Sequence, residues 1–344
     1  MVSSQAAASA GGITELDAER QRERAVYGEG ALIVCDRVVR IYAGDGIEVQ
    51  ALQGLDLLVA EGELTAIIGA SGSGKSTLMN ILAGLDRPTA GTVRVDGHDL
   101  GSLTGRERLA YRRDVVGFIW QQTSRNLLPY LTGRQNVLLP MRLAGVARRD
   151  RTRRADELLD ALGVSHCAQR VPEQMSGGEQ QRTTIATALA NQPRLLLADE
   201  PTGELDTASA HDVFAALQTA NTELGATVLV VTHDPAVSAQ VRRTVAIRDG
   251  RTSSETLRRG TSGAPGHAAP AAVEYAVLDR AGRVQLPSDM TARLGMRDRV
   301  RLQGQPDHIQ VWPDRPHPPS AGPEPSAGPD PSIGPDPSAG PEGH

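Results

Sequence analysis

The sequence predicts an α/β fold around a mostly parallel, helix-covered sheet, and three observations carry that prediction. Short apolar runs recur: Leu64-Thr-Ala-Ile-Ile68, Val115-Val-Gly-Phe-Ile-Trp120, Leu195-Leu-Leu-Ala198 and Thr227-Val-Leu-Val-Val231. Unbroken apolarity over so few residues suits strands buried on both faces. Stretches with helical spacing separate these runs, which is the alternation of a parallel sheet. The first run also opens directly into Gly69-Ala-Ser-Gly-Ser-Gly-Lys-Ser-Thr77, and Leu78-Met-Asn-Ile-Leu-Ala83 continues as an amphipathic helix.

Strand, glycine loop and helix at the spacing G-x-x-x-x-G-K-S form the context of a phosphate-binding loop. Gly69, Gly72 and Gly74 let the backbone N–H groups of Ala70, Ser71 and Ser73 converge on an anion without Cβ interference. The helix N-terminus beyond them contributes its positive end. Lys75 can reach terminal phosphates, the Ser76 hydroxyl can ligate Mg²⁺, and Thr77 completes the loop. The chain is thus expected to bind a nucleoside triphosphate.

Composition narrows the setting. The 344 residues allow about two domains, and the formal charge of -5 argues against wholesale nucleic-acid binding while leaving room for a local basic patch. The two cysteines, Cys35 and Cys167, lie far apart and in no metal or redox motif. They are expected to be small buried residues of a reduced, cytosolic protein. No apolar stretch reaches the ~20 residues of a membrane span, and the first 30 residues lack the apolar segment of a secretory signal. Any membrane role is expected to come through a partner chain.

Residues 1–30 are expected to be disordered. A strand then runs from Ala31 to Tyr42, whose ring could stack on a purine or be an ordinary strand tyrosine. Strands follow at 52–60 and 92–95. Gln121 directly follows a core strand and could project toward a nucleotide. Helical spacing returns across 126–170. Ser176 is a good N-cap, and Gly177 and Gly178 expose backbone N–H groups in front of Glu179, which reads either as a second anion-binding helix end or as a capped helix only. Asp199-Glu200 ends a buried strand, so one carboxylate suits Mg²⁺ and the next a water. His233 ends another strand, where open α/β sheets bind ligands, although a lone histidine is more often structural. A strand and turn over 245–251 close the domain.

Taken together, residues 31–255 resemble the ATP-binding subunit of an ABC transporter, a P-loop NTPase with added antiparallel β and helical subdomains. Gly69–Thr77 is similar to its Walker A loop, Gln121 to the Q-loop, and Ser176-Gly-Gly-Glu-Gln180 to the signature. Leu195 to Glu200 is similar to Walker B, Gly203-Glu-Leu-Asp206 to the D-loop, and His233 to the switch histidine. Tyr42 falls where the family has an adenine-stacking aromatic. The resemblance implies ATP and Mg²⁺ as ligands. Glu200 would be the catalytic base and His233 would contact the γ-phosphate, with Ser76, Gln121 and Asp199 around the metal. It also implies a head-to-tail homodimer in which the signature residues Ser176, Gly177, Gly178 and Glu179 serve the ATP held by the other copy, with Asp206 of the D-loop among the ATP-binding residues. The setting would be cytoplasmic, on the inner face of the plasma membrane and against a separate permease. The 199–206 and 127–140 segments resemble the macrolide-export, lipoprotein-release and cell-division branch. Trp120, Glu204 and Thr187 depart from common family residues, and Glu204 would add charge near the dimer seam.

Residues 256–272 read as a linker. Residues 273–312, with Gly282-Arg-Val-Gln-Leu-Pro287, resemble an AbrB-like swapped-hairpin domain, which implies dimerisation or, through Arg280, Arg283, Arg293, Arg297, Arg299 and Arg301, DNA binding. The Pro/Gly/Ser repeats of 313–344 read as a disordered tail. An ATPase-linked DNA-binding regulator and a mechanical gate on a cell-envelope enzyme are the alternative functions.

Overall fold

A computed structural model describes residues 27–44, 46–122, 125–233, 235–258 and 272–314. The expected disorder of 1–26 and of the 315–344 tail lies outside them. By contact density the chain divides at Pro287/Ser288.

The first unit contains the predicted sheet. Strands β1 (Ala31–Gly44), β2 (Ile47–Ala60), β4 (Ala90–Val95) and β5 (His98–Asp99) make a four-stranded antiparallel sheet in the order β2-β1-β4-β5. Strands β3 (Leu64–Ile68), β6 (Val116–Ile119), β7 (Leu195–Asp199), β8 (Thr227–Val231) and β9 (Arg243–Arg248) run parallel within a seven-stranded sheet that β10 (Arg251–Arg258) and β11 (Ala272–Ala276) complete, ordered β11-β10-β9-β3-β8-β7-β6. Its helices are α1 (Lys75–Leu82), α2 (Gly105–Asp114), α3 (Gly133–Leu143), α4 (Arg148–Ala161), α5 (Gly177–Ala188), α6 (Thr207–Thr222) and α7 (Pro235–Gln240). No helix of the described residues is long and apolar enough to cross a membrane.

Why the parallel strands read as unbroken apolar runs is now plain. Leu195, Leu197, Leu229 and Val231 join one core, with α1 and the antiparallel sheet. Their neighbours Leu196, Ala198, Val228 and Val230 join a second core with α3 to α6. Successive side chains leave a strand on opposite faces, so a sheet covered on both sides needs an apolar residue at every position. Both cysteines are fully buried, Cys35 in the first core and Cys167 in the second.

Helix starts differ in how they are capped. Helices α2, α3 and α5 each open on a capping box, Thr104 with Glu107, Thr132 with Gln135 and Ser176 with Glu179. Helix α1 instead follows Gly74, at φ 103°, with no side-chain cap. A Cβ there would meet the Ala51 carbonyl at 2.5 Å, so β2 presses on the loop at a point only glycine allows.

Two boundaries differ from those expected. Tyr27 is folded against β1, its hydroxyl donating to the Cys35 carbonyl at 3.3 Å. The 256–272 linker is shorter, because β10 (Arg251–Arg258) pairs with β9 and β11 (Ala272–Ala276) pairs with β10, both antiparallel. Residues 273–276, expected in a separate hairpin domain over 273–312, thereby extend the main sheet. Arg280 sits over the Tyr27 ring at 4.7 Å and pairs with Asp36 at 3.1 Å. The open edge of β10 offered unpaired backbone groups, and β11 satisfies them. The second unit, described on its own, has α8 (Ser288–Leu294) and the antiparallel hairpin of β12 (Val300–Gly304) and β13 (Ile309–Pro313).

Helix α1 is anchored from behind by Tyr111 of α2, which is 1% exposed. Its hydroxyl donates to the Leu82 carbonyl in the last turn of α1 at 2.5 Å. Tyr111→Phe keeps the ring and orphans that carbonyl, so urea unfolding should register a loss of about 1–2 kcal/mol. Tyr111→Ala should lose about 3–5 kcal/mol through the cavity it leaves.

Candidate functional site

The loop and the carboxyl ends of β3, β7 and β8 meet in one cavity of about 670 Å³. Gly69, Ser71, Gly72, Gly74, Lys75, Ser76 and Thr77 line it, together with Tyr42, Gln121, Asp199, Glu200 and His233. Crossing directions reverse where β3 and β8 are neighbours, so the loops beyond their ends open a crevice there. Ala70 and Ser73 act from behind. The Ala70 carbonyl accepts from Lys75 Nζ, as does that of Gly69, each at 2.8 Å. Ser73 is buried under the loop, and its Oγ has no hydrogen-bond partner.

Three polar side chains converge on the loop. Gln121 Nε2 donates to Glu200 Oε2 at 3.2 Å, and His233 Nδ1 lies 3.2 Å from Glu200 Oε1. Glu200 thus sits between the two. Its backbone is left-handed at φ 46°, and its N–H donates to the Val231 carbonyl at 2.9 Å. A non-glycine residue held there stores strain that the flanking strands hold in place. Burial, with Glu200 beside it, raises the Asp199 carboxyl above its ordinary value, and Lys75 opposes the rise.

Beside the loop, Ser76, Gln121 and Asp199 also line a smaller recess of about 320 Å³ with Asn80, Trp120 and Glu204. Hard oxygen donors around a desolvated carboxylate fit Mg²⁺, which would favour the charged form of Asp199. Glu204 therefore stands by this recess as well as in the D-loop segment.

Tyr42 lines the cavity from β1. Its hydroxyl donates to Asp86 at 2.7 Å, and the Arg40 guanidinium lies 4.3 Å from its ring centre. Asp86 and Arg40, themselves 2.9 Å apart, fix the ring, a contact that the sequence alone does not reveal.

Ser176, Gly177, Gly178, Glu179 and Asp206 do not line the cavity. Ser176 N donates to Glu179 Oε2 at 2.8 Å, and Glu179 N donates to Ser176 Oγ at 3.3 Å. Hydrogen bonds from His166 and the Ser176 backbone hold the Glu179 carboxyl down at about 2. Gly177 and Gly178 have a packing reason too. A Cβ on the first would meet Leu205 at 3.0 Å and on the second Ser209 at 3.1 Å. Asp206 is the N-cap of α6, accepting from the Ala208 and Ser209 N–H groups at 3.0 Å. Sequence reading missed Asn126. It accepts from Trp120 N and donates to Trp120 O, each at 2.9 Å, and so pins the strand end that presents Gln121.

Of the C-terminal arginines, Arg280, Arg283 and Arg299 are paired with Asp36, Asp279 and Asp314.

Known proteins share this arrangement. The profile of a family described as ABC transporter matches residues 52–203. A dimeric ATP-binding cassette solved in a post-hydrolysis state with ADP and Pi is 39% identical, with a TM-score of 0.60, over 66% of this chain and 99% of that one. A dimeric bacterial ABC transporter cassette is 40% identical over the same shares, also at TM-score 0.60. Macrolide export ATP-binding/permease proteins of Rhodospirillum rubrum and Chromobacterium violaceum are 47% and 48% identical over 64% and 69% of the chain. That of Escherichia coli K12 is 48% identical over 61%. The chain spans about a third of the length of these curated relatives, 33%, 35% and 32% in that order. With a cassette of known structure matched almost end to end and every expected loop residue at or behind one cavity, the chain belongs to the ATP-binding cassette family of ABC transporters.

Proposed function

We propose that this chain binds and hydrolyses ATP as the cassette subunit of an export-type ABC transporter, closing as a head-to-tail homodimer to drive a separate membrane permease. The observation that carries the reading is Glu200, bracketed by Gln121 and His233 at the mouth of the phosphate loop. The loop N–H groups and the uncapped start of α1 would hold the phosphates, and Lys75 Nζ would exchange its two carbonyl partners for phosphate oxygens. Mg²⁺, held by Ser76, Gln121 and Asp199, would neutralise charge developing on the phosphates. Glu200 would accept the proton of the attacking water, with Gln121 and His233 keeping the carboxylate aimed. The second anion-binding end, at Ser176 to Gly178, lies outside the cavity of its own chain, which suits service to the ATP of another copy. The dimeric state of both cassette structures supports that pairing.

Support for a permease comes from the fused ATP-binding/permease relatives. It comes also from a groove of about 420 Å³ that includes Leu109, Phe118, Leu143 and Thr187. Leu109 and Leu143 are 67% and 74% exposed, so the groove offers apolar surface suited to a short helix of a membrane protein. The engaged arginines near 280 favour this reading over a DNA-binding regulator.

Glu200→Gln should bind ATP normally, lose at least about 10²-fold in turnover and accumulate an ATP-dependent dimer on size exclusion. Near-normal turnover would remove the base assignment. Lys75→Ala should weaken ATP binding by about tenfold to a hundredfold in calorimetry, the loss of a charge-assisted contact. Leu143→Asp should leave the basal ATPase rate intact and abolish its stimulation by co-reconstituted permease.

A further inference from the structure

Cys167 was expected to be only a small buried residue; it is buried, yet two polar side chains, His166 and Glu179, also stand beside it. Cys167 ends the 3₁₀ turn Ser165–Cys167, and its sulfur lies within 4.8 Å of a Glu179 carboxylate oxygen across from it on α5. The neighbouring His166 reaches the same carboxylate, with Nε2 2.7 Å from Oε1. One ligand atom from each of His166, Cys167 and Glu179 lies within 4.8 Å of the others. Ligand atoms around a tetrahedral Zn²⁺ are about 3.4 Å apart, given bonds of about 2.0–2.3 Å. Small adjustments therefore suffice.

We propose that His166, Cys167 and Glu179 form a binding site for a thiophilic divalent cation of the Zn²⁺ class, set beside the first turn of α5. The donor set is one sulfur, one nitrogen and one oxygen, which favours Zn²⁺ over Mg²⁺. The two Glu179 oxygens divide the work. Oε2 accepts from Ser176 N and keeps the helix capped, while Oε1 faces His166 and is free to ligate. Arg170, 3.8 Å from Oε1 and 47% exposed, is the group that must turn outward to solvent. Binding exchanges the thiol proton for the metal, and the hydrogen that His166 Nε2 directs at Glu179 shifts to Nδ1 through solvent, so one proton is released and metal–sulfur and metal–nitrogen bonds form. The site ties the 3₁₀ turn to α5, and its fourth position, toward the exposed His166, is left to water.

Co²⁺ titration of the full chain without nucleotide tests this. The expected result is about one equivalent bound with a cysteine-to-cobalt charge-transfer band, displaced by Zn²⁺. The band should vanish in Cys167→Ser and weaken at least about tenfold in affinity in His166→Gln, whose side chain is half exposed. Cys35→Ser should keep it. Zn²⁺ should raise the melting temperature of the native chain and not that of His166→Gln. No charge-transfer band, or a band that persists in Cys167→Ser, would overturn the site, as would binding unchanged in His166→Gln.

Discussion

The rest of the molecule depends on a helix that begins without a side-chain cap. Four backbone N–H groups open every helix with no partner inside it. In α2, α3 and α5 a serine or threonine and its box partner answer some of them, whereas at α1 the chain offers glycines and Lys75. Positive field is thereby concentrated at one point, and the protein is built to hold that point still. Tyr111 grips the far end of α1, β2 presses on Gly74, and Lys75 ties the loop to its own carbonyls.

Acidic chemistry is laid out around this field. Asp199 and Glu200 are consecutive, yet the left-handed turn at Glu200 separates their tasks. Asp199 faces the recess with Ser76 and is pushed toward its neutral form by burial, the signature of a carboxylate suited to a cation. Glu200 faces Gln121 and His233 instead, and the backbone strain aims it there. Two consecutive side chains on a fully extended strand end would instead point to opposite faces of the sheet.

Much of this was readable before any coordinates. Strands buried on both faces must be apolar throughout, so β3, β7 and β8 announced themselves. Capping residues sit beside the helices they start, and Ser176 did so. What stayed hidden was set by distant partners. Nothing near Thr252 or Glu255 marks β10 as a strand, because its mixed polar residues lie toward the edge of the sheet and only β9 and β11 give them a place. Asn126 acts on Trp120 across a loop, and Asp86 acts on Tyr42 from another element. Cys167 and Glu179 look unrelated along the chain, and their meeting depends on how a 3₁₀ turn packs on α5. Asp206 was read through a resemblance to the D-loop; within its own chain it caps α6.

Strand β11 has a consequence for how the cassette can be cut. The family profile ends at residue 203, and the sheet continues through β10 to Ala276. A protein trimmed after Arg258 would leave the outer rim of β10 bare along Ser254 to Arg258, a row of amide and carbonyl groups open to any extended peptide. The segment that follows the cassette thus acts as a selvedge, keeping neighbouring molecules from stitching onto the sheet.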